Sequence, residues 1–205
     1  MYRLYYYPVT VAMAPHAALE EIGAPFELVN VDIRGTVPPA YRRIQPLGRV
    51  PALDDDGFTM FESAAILMYL ADKHPEACLA PAVGERDRGR YYQWIIFLAG
   101  TVYAALKVHG YPHRFAPEGA SLTETSAKAA RMLDDLWQKV EVMLGDGPYI
   151  LGPRFSAADL YLHQFTTWFT PDMVPLSHYP RLEAFGRRIG ARPSVRRMLE
   201  SHGIA

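Results

Sequence analysis

The alternation of apolar and polar positions divides the chain into a mixed first third and a helical remainder. An aromatic-rich run over residues 2–7 stops at Pro8 and predicts a first strand. Helical spacing from Met13, with Gly23 as a stop signal, predicts a helix, and residues 26–33 predict a second strand. One helix between two strands has the length of a βαβ crossover, so we expect these strands to be parallel.

The following segment predicts an antiparallel extension of this sheet. Residues 38–43 can form one or two helical turns, and strands are predicted over residues 50–53 and 58–62 with an Asp-Gly hairpin turn between them. A helix that starts at Ser63 is expected to end before Pro75. The predicted order is βαβαββα.

The remainder of the chain predicts helices alone. The clearest one covers residues 123–144, where an apolar stripe recurs at helical spacing. Ser156 and Asp159 have the spacing of a capping box, with Phe155 placed to pack on Leu160 as a hydrophobic staple. Two shorter helices are predicted near residues 182–189 and 194–201. The predicted organisation is therefore an α/β domain over residues 1–76, a linker over 77–88 and an all-α domain over 89–205.

Composition narrows the possible partners. The 21 basic and 22 acidic side chains leave a formal net charge of −1, which offers no overall field for nucleic acid or an anionic membrane. No apolar run is long enough for a membrane span, and the start at Met1 lacks the features of a signal peptide, so we expect a cytoplasmic protein. His109 and His113 are separated by Pro112 without an acidic or thiol ligand, and we expect no metal site there. The lone cysteine, Cys78, is not expected to be a redox centre.

Four motifs, in order along the chain, resemble the glutathione S-transferase family, and the bacterial members in particular. They are LYYYPVT at 4–10 running into APH at 14–16, PLGRVPAL at 46–53, FESAAI at 61–66, and the capped helix start at 156–159. The resemblance implies a thioredoxin-like first domain, an all-helical second domain, a homodimer, and a cis peptide bond before Pro51.

The resemblance also implies a glutathione site formed by Arg49, Val50, Pro51, Glu62 and Ser63. With a cis Pro51, the Val50 backbone can pair with an extended peptide, as the cysteinyl unit of glutathione would require. Ser63 at a helix N-terminus can hold the γ-glutamyl carboxylate, and Glu62 can pair with its ammonium group. The alternative is that Ser63 only caps the helix.

The thiol of glutathione has to be held as the thiolate, and the matching positions leave the responsible residue open. The cysteine of the bacterial cysteine-type enzymes falls at Val11, which cannot serve. Alignment to the serine-type enzymes selects Thr10, our first choice, whose alternative role is a helix cap. Alignment to the tyrosine-type enzymes selects Tyr6, our second choice, whose alternative role is structural. Tyr103 is expected near the sulfur or in the electrophile pocket, or else in the core.

The function that this resemblance implies is conjugation of glutathione to a small hydrophobic electrophile. Two alternatives stay open. One is a glutathione-dependent isomerase or thiol-disulfide oxidoreductase, which would use the same site. The other is a non-catalytic binding protein, which the valine at position 11 favours.

Overall fold

A computed structural model describes residues 1–204 and contains one four-stranded mixed sheet followed by helices. The strands are β1 (Tyr2–Tyr6), β2 (Phe26–Asn30), β3 (Ala52–Asp55) and β4 (Phe58–Phe61). The sheet order is β2-β1-β3-β4; β1 and β2 are parallel, and the other two pairs are antiparallel. The helices are α1 (Met13–Ile22), α2 (Ser63–Lys73), α3 (Arg86–Phe97), α4 (Tyr103–Gly110), α5 (Leu122–Leu144), α6 (Ala157–Thr166), α7 (Pro180–Gly190) and α8 (Pro193–Ser201).

The first domain matches the predicted thioredoxin-like arrangement. Between β2 and β3 the chain makes one short 3₁₀ turn, Tyr41–Arg43, in the segment predicted to form one or two helical turns. The second strand also ends earlier than predicted, at Asn30, because the Asp32 side chain accepts the N–H groups of Arg34 and Gly35 and turns the chain. The hairpin turn is the predicted one, and Asp56 and Gly57 both have positive φ.

The helical half begins earlier than the sequence predicted and contains an interruption. Helix α3 starts at Arg86, inside the segment expected to be a linker. A π-helical turn, Leu98–Val102, separates α3 from α4. A π-helical turn holds one more residue than an α-helical turn, and this changes the direction in which the following side chains point. The turn ends immediately before Tyr103, one of the predicted site residues.

One continuous core joins the two halves. Helix α1 of the first domain packs against α6 and α8 of the second, and α2 also contacts α6. The largest fully buried side chains come from both halves, among them Trp137, Tyr91, Tyr161, Phe165 and Leu4. The glutamine at position 164 of α6 accepts the Ala14 N–H near the start of α1, at 3.1 Å. Helix α6 therefore fixes the position of the helix that follows the predicted active-site loop.

The start of α6 is held by the predicted capping box. The fully buried Asp159 carboxylate accepts the N–H of Ser156 at 2.7 Å and the N–H of Ile150 at 2.8 Å. The Ser156 hydroxyl also donates to this carboxylate. Burial raises the pKa of Asp159 to about 6, although these three hydrogen bonds act to lower it. The Phe155 ring lies 3.7 Å from the Arg192 guanidinium, and its staple contact with Leu160 stays a prediction.

Candidate functional site

The segment before Pro51 is fixed by side chains on both sides of Arg49. The buried Gln45 side chain accepts the Arg49 N–H at 3.1 Å, and the Tyr41 hydroxyl donates to the Arg49 carbonyl at 2.6 Å. The Val50–Pro51 bond is cis, as expected. Within residues 1–204 neither the N–H nor the carbonyl of Val50 forms a hydrogen bond. Both groups are therefore available to an extended peptide.

The corner between β4 and α2 places a free carboxylate beside a helix N-terminus. Glu62 has φ 74°, a conformation that residues with a side chain adopt at a cost of about 1 kcal/mol or more. Its side chain does not cap the helix and forms no salt bridge within the described part of the chain. The first N–H groups of α2 have no partner in their own helix, so this end can hold an anion.

Ser63 has a hydroxyl partner that sequence reasoning missed. Its Oγ lies 2.9 Å from the hydroxyl oxygen of Tyr161 on α6, and both residues are buried. Burial raises the pKa of Tyr161 above its usual range, so this phenol stays neutral at physiological pH. The pattern of α6 marks Tyr161 only as a core residue, and no sequence signal indicates that it reaches the first domain.

The loop between β1 and α1 carries Thr10 in an internally bonded conformation. The Thr10 hydroxyl donates to the Tyr7 carbonyl at 2.7 Å and accepts the Ala12 N–H at 3.4 Å. To donate to a ligand sulfur, Thr10 must first give up its bond to Tyr7. The Val11 side chain is buried and has no hydrogen-bonding group, as its position in the motif predicted.

The C-terminal helix reaches this loop through His202. The Nδ1 atom of His202 accepts the Val9 N–H at 3.1 Å, and its ring lies 5.4 Å from the ring of His16. The pKa of each histidine is lowered to about 4, by burial for His16 and by burial together with the neighbouring His16 for His202. Neutral His202 is the form that can accept the Val9 N–H. Val9 itself has a positive φ of 54°, so this bond holds the loop in an unusual backbone conformation.

Tyr6 lies on the same side of the sheet as these histidines. Its ring is half-buried and 5.2 Å from the His202 ring in an edge-on arrangement. Its hydroxyl forms no hydrogen bond to any other residue of the described chain. Tyr6 is therefore less constrained than Thr10 as a hydrogen-bond donor.

Tyr103 connects the helical domain to the Val50 and Glu62 region. Burial raises the pKa of its phenol to about 12, and the charged groups that act on the phenol include Arg49, Glu62 and Arg114. Its ring is stacked on the Phe165 ring at 5.9 Å. The Phe165 ring also contacts Tyr161, the partner of Ser63, so a chain of contacts joins Tyr103 to the start of α2.

His109 and Cys78, for which we expected no metal or redox role, lie apart from the candidate glutathione site. The His109 ring hydrogen-bonds to the hydroxyls of Ser126 and Thr170, at 3.1 and 3.0 Å. No three histidine, cysteine or acidic side chains among residues 1–204 are grouped as metal ligands. Cys78 is exposed at the end of a 3₁₀ turn after α2. None of the helices described is both long and apolar enough to cross a membrane.

Comparisons with known proteins agree with this architecture. The model of the glutathione S-transferase N-terminal domain matches residues 2–72, and that of a C-terminal domain of the same family matches residues 115–202. The chain is 31% identical to glutathione S-transferase GstA of Escherichia coli O157:H7, over 98% of this chain and 99% of that protein. It is 27% identical to the disulfide-bond oxidoreductase YfcG of Escherichia coli, over 95% and 93%.

A solved structure extends the similarity to the full fold. A sphingomonad glutathione S-transferase complexed with glutathione superposes with a TM-score of 0.86 and 34% identity, over 99% of this chain and all of that one. A thioredoxin-like domain joined to a helical domain through a shared core defines the class of protein. The chain belongs to the glutathione S-transferase family.

Proposed function

We propose that this protein binds glutathione in the cradle formed by Val50 and the Glu62–Ser63 corner. The observation that carries the proposal is that three binding groups are free together: the Val50 backbone, the Glu62 carboxylate and the N-terminus of α2. They match the cysteinyl amide, the ammonium and the carboxylate of glutathione in that order. The solved relative that contains glutathione supports the same ligand.

The reaction that we propose is conjugation of the bound thiolate to a small hydrophobic electrophile. The sulfur forms a bond to an electrophilic carbon, a halide leaves with its bonding electrons, and the thiol proton passes to solvent. One hydrogen bond from a hydroxyl to the thiolate contributes about 1.5–3 kcal/mol, or about 1–2 pKa units. Thr10 and Tyr6 are the candidate donors, and Tyr103 lines the electrophile side.

Calorimetry tests the binding of glutathione, and ultraviolet absorbance tests the formation of its thiolate. We expect glutathione to bind to the wild-type protein and to give a thiolate absorbance band near neutral pH. If the Thr10 hydroxyl leaves the Tyr7 carbonyl for the sulfur when glutathione binds, Thr10→Ala is expected to abolish the band and Tyr6→Phe to leave it. A band lost only in Tyr6→Phe would reverse the order of the two donors, and binding without any band in the wild type would contradict the catalytic role.

Thiol-disulfide exchange is the second candidate, and the similarity to YfcG favours it. In that reaction the glutathione thiolate attacks a disulfide sulfur, and the other sulfur leaves as a thiolate. The protein needs no cysteine of its own for this step. Comparing the rate of turnover of a mixed disulfide with that of chlorodinitrobenzene separates the two activities. Turnover of neither substrate would favour a binding protein without catalysis.

We also propose a homodimer located in the cytoplasm. Large apolar side chains are exposed on the first domain and on α3, including Phe58 and Ile96, which are 56% and 59% exposed. A contiguous patch of such side chains marks an interaction surface, and we propose that these side chains belong to the one between two subunits. Light scattering with size-exclusion chromatography is expected to give twice the mass of 23.1 kDa; a monomer at micromolar concentration would contradict it.

A further inference from the structure

We propose that the second substrate is an anionic aromatic electrophile, such as a carboxylated haloarene, held by Lys107 and Arg114. This inference rests on the proposed function, because it concerns the electrophile side of the same site. The observation behind it is that two cations near Tyr103 each lie over an aromatic ring.

Each of two cations lies over an aromatic ring at the end of α4. The Lys107 ammonium is 4.9 Å from the centre of the Tyr103 ring, and the Arg114 guanidinium is 4.6 Å from the centre of the Tyr111 ring. These distances are within the range of cation–π contacts. The two rings belong to neighbouring segments, because the 3₁₀ turn Pro112–Arg114 that follows Tyr111 packs against α4, which begins with Tyr103.

Neither cation is neutralised by the protein. Within residues 1–204, Lys107 and Arg114 form no salt bridge, whereas ten other pairs of a cation and a carboxylate lie within 4.0 Å, histidines not counted. Arg49, whose charge also acts on the Tyr103 phenol, forms no salt bridge within the same residues. The Glu62 carboxylate is the acidic group that acts on the Tyr103 phenol, and glutathione's ammonium would neutralise it. With an S-conjugate of glutathione bound, its ammonium and the side chains of Arg49, Lys107 and Arg114 outnumber its two carboxylates and that of Glu62 by one charge.

The rings supply the apolar part of the same site. Tyr103 is half-buried, with Phe165 stacked on its ring, and Tyr111 is 43% exposed. Lys107 and Arg114 cover the remaining ring faces, which become available to a planar ligand when these two flexible side chains turn toward its carboxylate. An aromatic ring of the ligand can stack there while its carboxylate meets Lys107 or Arg114. A neutral hydrophobic ligand would use only the first of these interactions.

The expected preference follows from the exposure of the cations. A partly exposed ion pair contributes about 0.5–1 kcal/mol, so two cations favour the anionic ligand by about 5- to 30-fold. The preference is expected to fall as the salt concentration rises, because exposed charges are screened.

The test uses two glutathione conjugates that differ in charge and need no turnover. Calorimetry compares the dissociation constants of S-dinitrophenyl-glutathione and its ring-carboxylated analogue in the wild type, Lys107→Gln and Arg114→Gln. Lys139→Gln is the matched control, since it removes one positive charge from the far part of α5, where the lysine contacts only its own helix. The corresponding chlorodinitrobenzene and chlorodinitrobenzoate, each corrected for its uncatalysed rate, give the same comparison for turnover.

We expect the carboxylated conjugate to bind about 10-fold more tightly, with about a 3-fold loss of that preference in each site variant and none in Lys139→Gln. Equal affinity for the two conjugates, or a preference that survives in both site variants, would overturn the inference and leave the proposed function standing. Failure of glutathione and both conjugates to bind would overturn the two together.

Discussion

The histidine beside the active-site loop makes stability depend on pH in a predictable way. His202 has a pKa lowered from 6.5 to about 4 in the fold, because burial and His16 disfavour its charged form. Its contribution to the free energy of unfolding is therefore complete above pH 6.5 and is lost as the pH falls from 6.5 toward 4. At pH 5 the unfolded chain has bound this proton and the folded chain has not.

The expected loss can be worked out from the two pKa values. The difference between 6.5 and pH 5 is 1.5 units, and one unit corresponds to about 1.4 kcal/mol, so His202 alone removes about 2 kcal/mol between pH 8 and pH 5. The buried side chains of His16, His163 and Asp159 also titrate in this range, so the wild type cannot be interpreted by itself. Comparison with His202→Asn isolates the histidine, and the asparagine oxygen can still accept the Val9 N–H.

Urea unfolding followed by tryptophan fluorescence measures this effect. The free energy of unfolding is determined at pH 8 and pH 5 at one protein concentration, because the stability of the proposed dimer would depend on concentration. We expect the decrease between the two pH values to be about 2 kcal/mol smaller in His202→Asn than in the wild type. His113→Asn, which removes an exposed histidine, is expected to keep the wild-type decrease. A full wild-type decrease in His202→Asn would refute the assignment of a neutral, buried His202.

Two further predictions concern single hydrogen-bonding groups. Asp159→Ala leaves two buried backbone N–H groups unpaired and is expected to lower the free energy of unfolding by about 3–5 kcal/mol. Ser121→Ala, which removes an exposed helix cap, is expected to lower it by about 1 kcal/mol. Similar urea midpoints for the two variants would be inconsistent with the capping network. Ser63→Ala is expected to weaken glutathione binding about 10-fold in calorimetry, while Tyr161→Phe frees the Ser63 hydroxyl and keeps the affinity within about twofold. A larger loss in Tyr161→Phe than in Ser63→Ala would argue against direct recognition by Ser63.

Local signals in the sequence predicted the elements well because each has a short-range physical cause. Gly23 ends α1 in the left-handed conformation, and Asp56-Gly57 forms the hairpin turn, as residue type alone indicates. The Ser156–Asp159 spacing likewise predicted the start of α6. The π-helical turn before Tyr103 has no such local signal and was not predicted.

Contacts between distant parts of the chain could not be predicted from the sequence pattern. The bonds from Ser63 to Tyr161 and from Val9 to His202 join residues 98 and 193 positions apart. Tyr161 has the spacing of an ordinary core position of α6, and His202 directly follows α8, so nothing local distinguishes either residue. The bond from Thr10 to Tyr7 was also unforeseen, because a hydroxyl in a loop can turn to a ligand or to the backbone.

A crystal structure with glutathione tests the account most directly. We expect the cysteinyl N–H and carbonyl to pair with the backbone of Val50, the γ-glutamyl carboxylate to lie at the Ser63 N–H, and the ammonium to contact Glu62. Glutathione bound elsewhere, or a cradle left empty at a saturating concentration, would contradict the account.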